Sequence, residues 1–555
     1  MKEKLLITIF ALLLSYSGKT CTNLMITPGA SADGSAIISY AADSHVRYGT
    51  LLHIPGAKHA PGSMRQIYEW GTGRYLGQIP QIAETYSVMG HMNEHQVVIG
   101  ETTWNGETIC RDPNGMLDWG SLIYIALERS KSAREAIETI TTLANRYGYA
   151  SAGETFSIAD PKEVWIMDII SKAPKIENGE NVNRGLVWVA IKIPDGAISA
   201  HANQARITTF PLNDSENCLY SPDIISHARE IGLFKGKDSQ FNFAKCYGDE
   251  SPGKIRSCDA RVWSFFNRWA KDDMARYLPY ALGDPQKERM PLYLLPKRKL
   301  SVIDVAEMMR DHYEGTPMDM THDIGAGGNE LPYRWRPTRW EVDGKTYTNE
   351  RPIAIQATGF WYVAQLRSNF PKSIGGIFWF GLDDAATSPL TPIYSSATAV
   401  SPHYAVGNGS MVRYSPTSMF WLTNRIAQFA YLRYNHIGKE VQEIIREHEA
   451  NAVEEVKMID QVALQIAKEN PQYLSQFLTN YSVNSANSLF HKWKKLDEYL
   501  LIKYMDGYTK HQNEDGSFTT NQYCDSIPVP PQAPGYTDLW KKAVIESTGE
   551  RLLLK

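Results

Sequence analysis

The stretch Cys21-Thr22-Asn23-Leu24-Met25-Ile26-Thr27 follows directly on an apolar leader and predicts a short β-strand. Turn signals at Pro28-Gly29 and Asp33-Gly34 close this strand, and residues 35–40 return as its partner. After the leader, the chain therefore opens with a β-hairpin whose first residue is a cysteine.

The leader, residues 1–20, is typical of a secretory signal. Lys2 and Lys4 give it a positive start, and residues 5–14 are almost wholly apolar. That run is too short to span a bilayer, which takes about 20 apolar residues. Cleavage directly before Cys21 would make this cysteine the mature N-terminus, so we expect a periplasmic or extracellular protein.

Two other interpretations of Cys21 stay open. A lipoprotein signal also leaves a cysteine first, but it usually has an aliphatic residue at −3 and Gly or Ala at −1, where this chain has Gly18 and Thr20. In that case Cys21 would carry acyl chains on a lipid-anchored binding protein. Cleavage elsewhere would leave Cys21 as a plain structural cysteine.

Composition limits the classes of function. The 555 residues suffice for one large domain or two to three ordinary ones. A net charge of −4 gives no electrostatic case for a nucleic-acid partner. No apolar run after the leader approaches membrane length, so we expect a soluble mature protein without a membrane partner. The sequence does not indicate an oligomeric state.

Six cysteines in an exported chain permit disulfides. If Cys21 is a free nucleophile, five remain and at least one more is unpaired. We expect no dense disulfide framework, and Cys218, Cys246 and Cys258 are the nearest candidates for a single bridge.

Beyond the hairpin, the pattern runs from strands to helices and back to strands. Two helices are predicted within residues 117–144 and one around residues 262–270; strands are predicted at residues 85–90, 97–103, 154–159, 163–168, 188–193, 197–207, 353–366 and 373–380. This order favours antiparallel sheets with helices outside them over alternating βαβ units. We predict one domain over residues 21–414 and a helical extension over residues 415–555, which can pack on the same domain.

An N-terminal cysteine combines a thiol nucleophile with an α-amine on one residue. The thiol attacks only as thiolate, so a base must take its proton. The pKa of an α-amine, near 7.7–8.0, suits it as that base. Such chemistry also needs an acid to orient the amine and donors to stabilise an oxyanion.

A series of short motifs follows the N-terminal cysteine. In chain order they are Cys21-Thr22-Asn23, Ala32-Asp33-Gly34-Ser35, Ala42-Asp43-Ser44-His45, Met92-Asn93-Glu94, Gly100-Glu101-Thr102-Thr103, His201-Ala202-Asn203-Gln204-Ala205-Arg206, Asp259-Ala260-Arg261, Gln365-Leu366-Arg367 and Gly375-Gly376-Ile377-Phe378-Trp379-Phe380-Gly381. The order of these motifs resembles the C69 dipeptidases, a family of N-terminal-nucleophile (Ntn) hydrolases related to penicillin V acylase and bile salt hydrolase. The likeness covers residues 21 to about 400.

The resemblance implies an α+β fold, the Ntn αββα sandwich of two antiparallel sheets between helical layers. It implies a dipeptidase that takes small peptides and needs no cofactor. Cys21 would be the nucleophile, Asp43 the carboxylate that holds its amine, and Arg261 the arginine near the thiol. Asn203 would bind the oxyanion or substrate, and Thr103 lies near a second oxyanion position.

One position departs from the family pattern. The acylases carry an arginine three residues before the aspartate, where this chain has Tyr40. Either Arg47 or Arg261 supplies the cation, or the substrate preference differs. An acylase or amidase acting on N-acyl amides therefore remains the alternative within the same enzyme class.

Two groups of residues in the sequence could suggest a metal site, but each has a better explanation. The run His91-Met92-Asn93-Glu94-His95 fits a zinc-peptidase pattern, but that chemistry needs a helix, and predicted strands flank the run. His312, Asp319, His322 and Asp323 are better explained as a solvated loop. We therefore expect no metal site and no cofactor.

Overall fold

A computed structural model describes residues 21–554, so the predicted leader lies outside the described part of the chain. Helices and strands are mixed, and every ladder within the two large sheets is antiparallel. The predicted α+β class is confirmed.

The first sheet carries the N-terminal hairpin at its centre. Cys21 directly precedes the strand Thr22–Ile26, which pairs with Ala36–Asp43 as predicted. In spatial order, the seven strands are Tyr293–Leu294, Ile198–His201, Thr22–Ile26, Ala36–Asp43, Thr358–Leu366, Gly376–Leu382 and Thr391–Tyr394.

The second sheet has eight strands. In spatial order, they are Cys218–Tyr220, Leu186–Lys192, Val164–Ser171, Gly153–Ala159, Val98–Trp104, Met92–Asn93, Val88–Met89 and His53–Ile54. The remaining strands form small two-stranded pairs: Ala57–Lys58 with Glu84–Thr85, Met64–Tyr68 with Tyr75–Pro80, Ile176–Glu177 with Glu180–Asn181, Arg339–Val342 with Lys345–Thr348, and Thr520–Asn521 with Cys524–Pro528.

Buried polar side chains join the two sheets. The Asn23 side-chain amide donates to the Glu101 carbonyl at 2.7 Å and accepts from Ser157 Oγ at 2.8 Å. The Thr102 hydroxyl lies 2.7 Å from His201 Nδ1. Because buried polar groups are costly unless paired, these contacts fix how the ends of the two sheets meet.

Helices cover the other face of each sheet. Trp119–Arg129 and Ala133–Tyr147 share a hydrophobic core with the second sheet. Pro252–Trp269, Val302–Met309 and Lys439–Glu469 share another core with the first sheet. The α-helices not yet named are Ile224–Glu230, Phe243–Tyr247, Leu278–Ala281, Lys372–Gly375, Met419–Leu432, Leu474–Lys503 and Asp538–Thr548.

The C-terminal helices contact the sheets through buried charges. Asp460 pairs with Arg367, which follows a strand of the first sheet, and Glu449 accepts from Arg310 at 2.6 Å. Both pairs lie between helix Lys439–Glu469 and the preceding chain. The boundary proposed at residue 415 stays a prediction.

Several predicted strands were wrong in length. Residues 85–90 form two short strands, Glu84–Thr85 and Val88–Met89, and the strand predicted over residues 353–366 begins only at Thr358. Residues 197–207 were expected to form one strand, but the strand ends at His201. The chain turns there because Asn203 has a left-handed backbone with φ of 58°, which interrupts extended structure. This turn brings Asn203 back toward the start of the chain.

All six cysteines lie among the described residues, and none is bridged. Cys218 and Cys246 share one core, whereas Cys258 lies apart on helix Pro252–Trp269. Across residues 21–554, we find no helix with the length and apolar character that crossing a membrane requires.

Candidate active site

Cys21 is buried between the sheets. Its Sγ lies 3.4 Å from Glu101 Oε1 and 3.6 Å from the Tyr40 hydroxyl. Tyr40 in turn donates to the same Glu101 oxygen at 2.6 Å. The thiol therefore faces a carboxylate and a phenol.

Burial first, and then the negative charges of Glu101 and Asp43, raise the pKa of the Cys21 thiol well above its usual value. A hydrogen bond between the thiol and the Tyr40 hydroxyl, and one with the Asp43 backbone, act in the opposite direction. While Cys21 is joined to Thr20, its nitrogen is a peptide nitrogen and cannot act as a base. The thiol is thus held protonated here.

Arg261 lies in the middle of helix Pro252–Trp269 and ties the site together. Its guanidinium donates to the Cys21 carbonyl at 2.6 Å, to Thr22 Oγ1 at 2.7 Å and to Asn203 Oδ1 at 3.0 Å. Burial lowers the pKa of Arg261 to about 10, so it remains charged at neutral pH. The sequence prediction placed this cation near the thiol, and in the structure it binds the backbone carbonyl of the same residue, Cys21.

Asn203 and Thr103 meet at the ends of two strands. Asn203 Nδ2 donates to the Thr103 carbonyl at 2.7 Å while its Oδ1 accepts from Arg261. These two contacts fix which way the amide faces. The Thr103 hydroxyl donates to Glu154 Oε2 at 3.1 Å, so it is the backbone of Thr103 that meets Asn203.

Asp43 ends the second strand of the hairpin, directly beside Cys21. Arg351 forms a buried ion pair with Asp43 Oδ2, and the Thr358 hydroxyl donates to Oδ1 at 2.6 Å. Burial raises the pKa of Asp43, and the Arg351 charge opposes that rise. Arg351 also lies 3.4 Å from Thr22 Oγ1, which connects Asp43 to the contacts of Arg261.

A pair of buried glutamates lies behind the thiol. Burial and then the charge of Glu101 raise the pKa of Glu154 well above its usual value, and a hydrogen bond between the two carboxyl groups acts in the same direction. The Tyr149 hydroxyl donates to Glu154 Oε2 at 3.3 Å. This environment therefore favours the protonated form of Glu154.

The structure brings all five predicted residues into one hydrogen-bonded cluster: Cys21, Asp43, Thr103, Asn203 and Arg261. Sequence reasoning missed Glu101, Glu154 and Arg351. Glu101 is part of the motif Gly100-Glu101-Thr102-Thr103. A carboxylate in an otherwise apolar and threonine-rich strand was the one feature of the sequence that could have indicated a role for it. Arg351 gave no such signal.

The zinc-peptidase pattern lies on a β-hairpin. His91 follows the strand Val88–Met89, and its Nδ1 donates to the Ile99 carbonyl at 3.0 Å. His95 instead lies 3.2 Å from Lys372 Nζ. Among residues 21–554, no group of three or more His, Cys, Asp or Glu side chains is arranged to hold a metal ion.

Comparison with known proteins gives one family. The sequence model of Peptidase family C69 matches residues 20–447. A probable dipeptidase of Latilactobacillus sakei is 25% identical over 436 residues, which cover 75% of this chain and 81% of the relative. A probable dipeptidase of Salmonella dublin is 25% identical over 425 residues, covering 72% and 86%. Probable dipeptidase B of Streptococcus pyogenes serotype M1 is 20% identical over 523 residues, covering 90% and 97%.

Proposed function

The chain belongs to peptidase family C69, and on this premise we propose that it hydrolyses dipeptides outside the cytoplasm with the Cys21 thiol as nucleophile. The observation that carries the proposal is the hydrogen-bonded cluster of Cys21, Asp43, Asn203 and Arg261. Similarity to relatives named probable dipeptidases supports the substrate class.

We infer further that the fold is the αββα sandwich of the Ntn hydrolases. Two antiparallel sheets share an inner core, and helices share a separate core with each sheet. The cysteine directly precedes a central strand, where cleavage would leave its nitrogen and its thiol close to both sheets. This placement supports a nucleophile that carries its own base.

Cleavage before Cys21 is the step that supplies the base. It converts a peptide nitrogen into an amine whose ordinary pKa is close to neutral pH. Asp43 contacts Cys21 through its backbone, and its carboxylate, fixed by Arg351 and Thr358, is the group proposed to orient the amine. The leader that this step removes is also the basis for proposing export, and it lies outside the described residues.

The reaction follows from these positions. The amine accepts the thiol proton, and the thiolate attacks the peptide carbonyl carbon. Asn203, oriented by Arg261 and by the Thr103 carbonyl, stabilises the oxyanion together with a backbone N–H. The ammonium then protonates the leaving amino acid, and a thioester remains on Cys21. The amine next activates a water molecule, which hydrolyses the thioester and restores the thiol.

The test compares mature protein that begins at Cys21 with the same protein carrying one added alanine before it. We expect hydrolysis of a dipeptide panel by the first form and loss of activity in the second, although both keep the thiol. Cys21→Ala should be folded and inactive. Full activity of the extended form would contradict the role of the amine.

Two further measurements separate the alternatives. Cleavage of N-acyl amino acids in preference to dipeptides would favour the acylase. Mass spectrometry of the N-terminus of the exported protein reports its processing. A diacylglyceryl adduct on Cys21 would overturn the hydrolase mechanism, because the thiol would be consumed.

A further inference from the structure

A cavity of about 290 Å³ lies one aromatic ring away from the thiol. Tyr40, whose hydroxyl is 3.6 Å from Cys21 Sγ, stacks on His91 with 5.3 Å between ring centroids and meets the edge of Phe360 at 5.8 Å. His91 and Phe360 are walls of the cavity. Tyr40 thus contacts both the Cys21 thiol and two residues that line the cavity.

The cavity is largely aromatic and contains one cation. Besides His91 and Phe360, its walls include Trp70, Tyr124 and Phe380. Arg47 also lines it, with the guanidinium 5.3 Å from the Trp70 ring centroid. Within residues 21–554, no carboxylate lies within salt-bridge distance of Arg47. A partly buried guanidinium without an anionic partner favours an anionic ligand.

His91 adds a buried polar group. Its Nδ1 donates to the Ile99 carbonyl, which leaves Nε2 as the acceptor of a neutral ring, and burial lowers the pKa of His91 to about 4. Among the described residues, this fully buried Nε2 has no hydrogen-bond partner. Buried polar atoms normally have a hydrogen-bond partner. The His91 Nε2 atom could therefore accept a hydrogen bond from an N–H group of a ligand.

We propose that this cavity, the Arg47 pocket, binds the C-terminal residue of a dipeptide. Arg47 pairs with the free α-carboxylate, and the aromatic walls surround an apolar side chain. The assignment rests on the proposed function and narrows its substrates to peptides with a free carboxylate next to a large apolar residue.

The experiment compares alanyl-phenylalanine with its C-terminal amide as substrates of the mature enzyme. We expect the wild type to prefer the free acid by about 10- to 100-fold in kcat/KM, the range of one charge-assisted hydrogen bond. Arg47→Gln should bring that ratio close to one, and Arg47→Lys should keep part of it. Equal ratios in the wild type and Arg47→Gln would overturn the assignment.

A second cavity of about 310 Å³ supplies the matched control. It is lined by Arg336 and by Arg351, the partner of Asp43. Arg336→Gln should retain the wild-type preference for the free acid. If Arg336→Gln abolishes the preference instead, the carboxylate binds in this second cavity, and its assignment to the Arg47 pocket is wrong.

Calorimetric binding of the same two peptides to mature Cys21→Ala protein separates the two proposals. Dipeptide hydrolysis without any preference for the free acid would overturn the pocket and leave the proposed function standing. The opposite outcome has three parts: Cys21→Ala protein binds the free acid tightly, Arg47→Gln abolishes that binding, and the wild type hydrolyses no dipeptide. That outcome would overturn the proposed function and leave the pocket standing. Acid binding that Arg47→Gln leaves unchanged would overturn the pocket in either case.

Discussion

The Cys21 thiol lies 3.4 Å from Glu101 Oε1, so the candidate nucleophile faces a carboxylate. A negative charge at this distance disfavours the thiolate. When the chain is cut before Cys21, the new amine can accept the thiol proton, and the ammonium that results places a positive charge on the same residue. Attack by the thiol therefore depends on processing, because only the processed chain has a group that offsets Glu101.

Glu101→Gln should lower the pKa of the Cys21 thiol, because it removes a charge that raises that pKa and keeps an acceptor for Tyr40. The measurement is the pH dependence of Cys21 alkylation, followed by mass spectrometry of its peptide, in protein with one residue added before Cys21. Glu128→Gln is the matched control, since Glu128 is buried but pairs with Arg65. Identical alkylation profiles for Glu101→Gln and the wild type would contradict this electrostatic effect.

Arg351→Gln should destabilise the protein by about 3–5 kcal/mol, because it leaves the buried Asp43 charge without its ion-pair partner. The measurement is the free energy of urea unfolding. Arg298→Gln is the control: Arg298 pairs with Asp304 at the surface, where such a pair contributes about 1 kcal/mol or less. Equal losses for the two variants would show that the Asp43 pair does not stabilise the fold.

Turn signals predicted the hairpin, and the resemblance to the C69 dipeptidases predicted five residues of the cluster, because the motifs that carry it are short local stretches of sequence. Glu101 and Arg351 were missed for a physical reason. Glu101 is 80 residues from the thiol that it contacts, and Arg351 is 308 residues from Asp43. Contacts between residues so far apart in the sequence are set by the tertiary fold and cannot be predicted from local motifs. The strand over residues 197–207 was overextended because propensity does not reveal the left-handed turn at Asn203.

Gly100→Ala should destabilise the contact between the sheets. A Cβ at this position would lie 2.0 Å from Asn23 Oδ1 and 2.7 Å from Ser157 Oγ, so the hydrogen bond between these two side chains must break or shift. Overpacking of this kind costs about 1–3 kcal/mol. The free energy of unfolding measures it. Gly253→Ala, on helix Pro252–Trp269 with open space around the new Cβ, should be neutral or stabilising.

His91 should make the protein less stable in mild acid. Its pKa is lowered from 6.5 to about 4 by burial, so below pH 6.5 the unfolded chain binds a proton that the folded chain does not. The stabilisation is complete above pH 6.5 and is lost as the pH falls toward 4, by roughly 3 kcal/mol in total. His91→Gln should flatten this part of the stability profile. The exposed His511→Gln should leave the profile as in the wild type.

Asn203 combines a left-handed backbone with a side-chain amide, and two variants separate these properties. Asn203→Gly tolerates the φ of 58° and lacks the amide, whereas Asn203→Ala lacks the amide and adds about 1–2 kcal/mol of backbone strain. If the amide stabilises the oxyanion, both variants should lose about 10²- to 10³-fold in kcat, with smaller changes in KM. Only Asn203→Ala should then show the added strain in its free energy of unfolding. A kcat near that of the wild type in Asn203→Gly would instead mean that the position serves the turn alone.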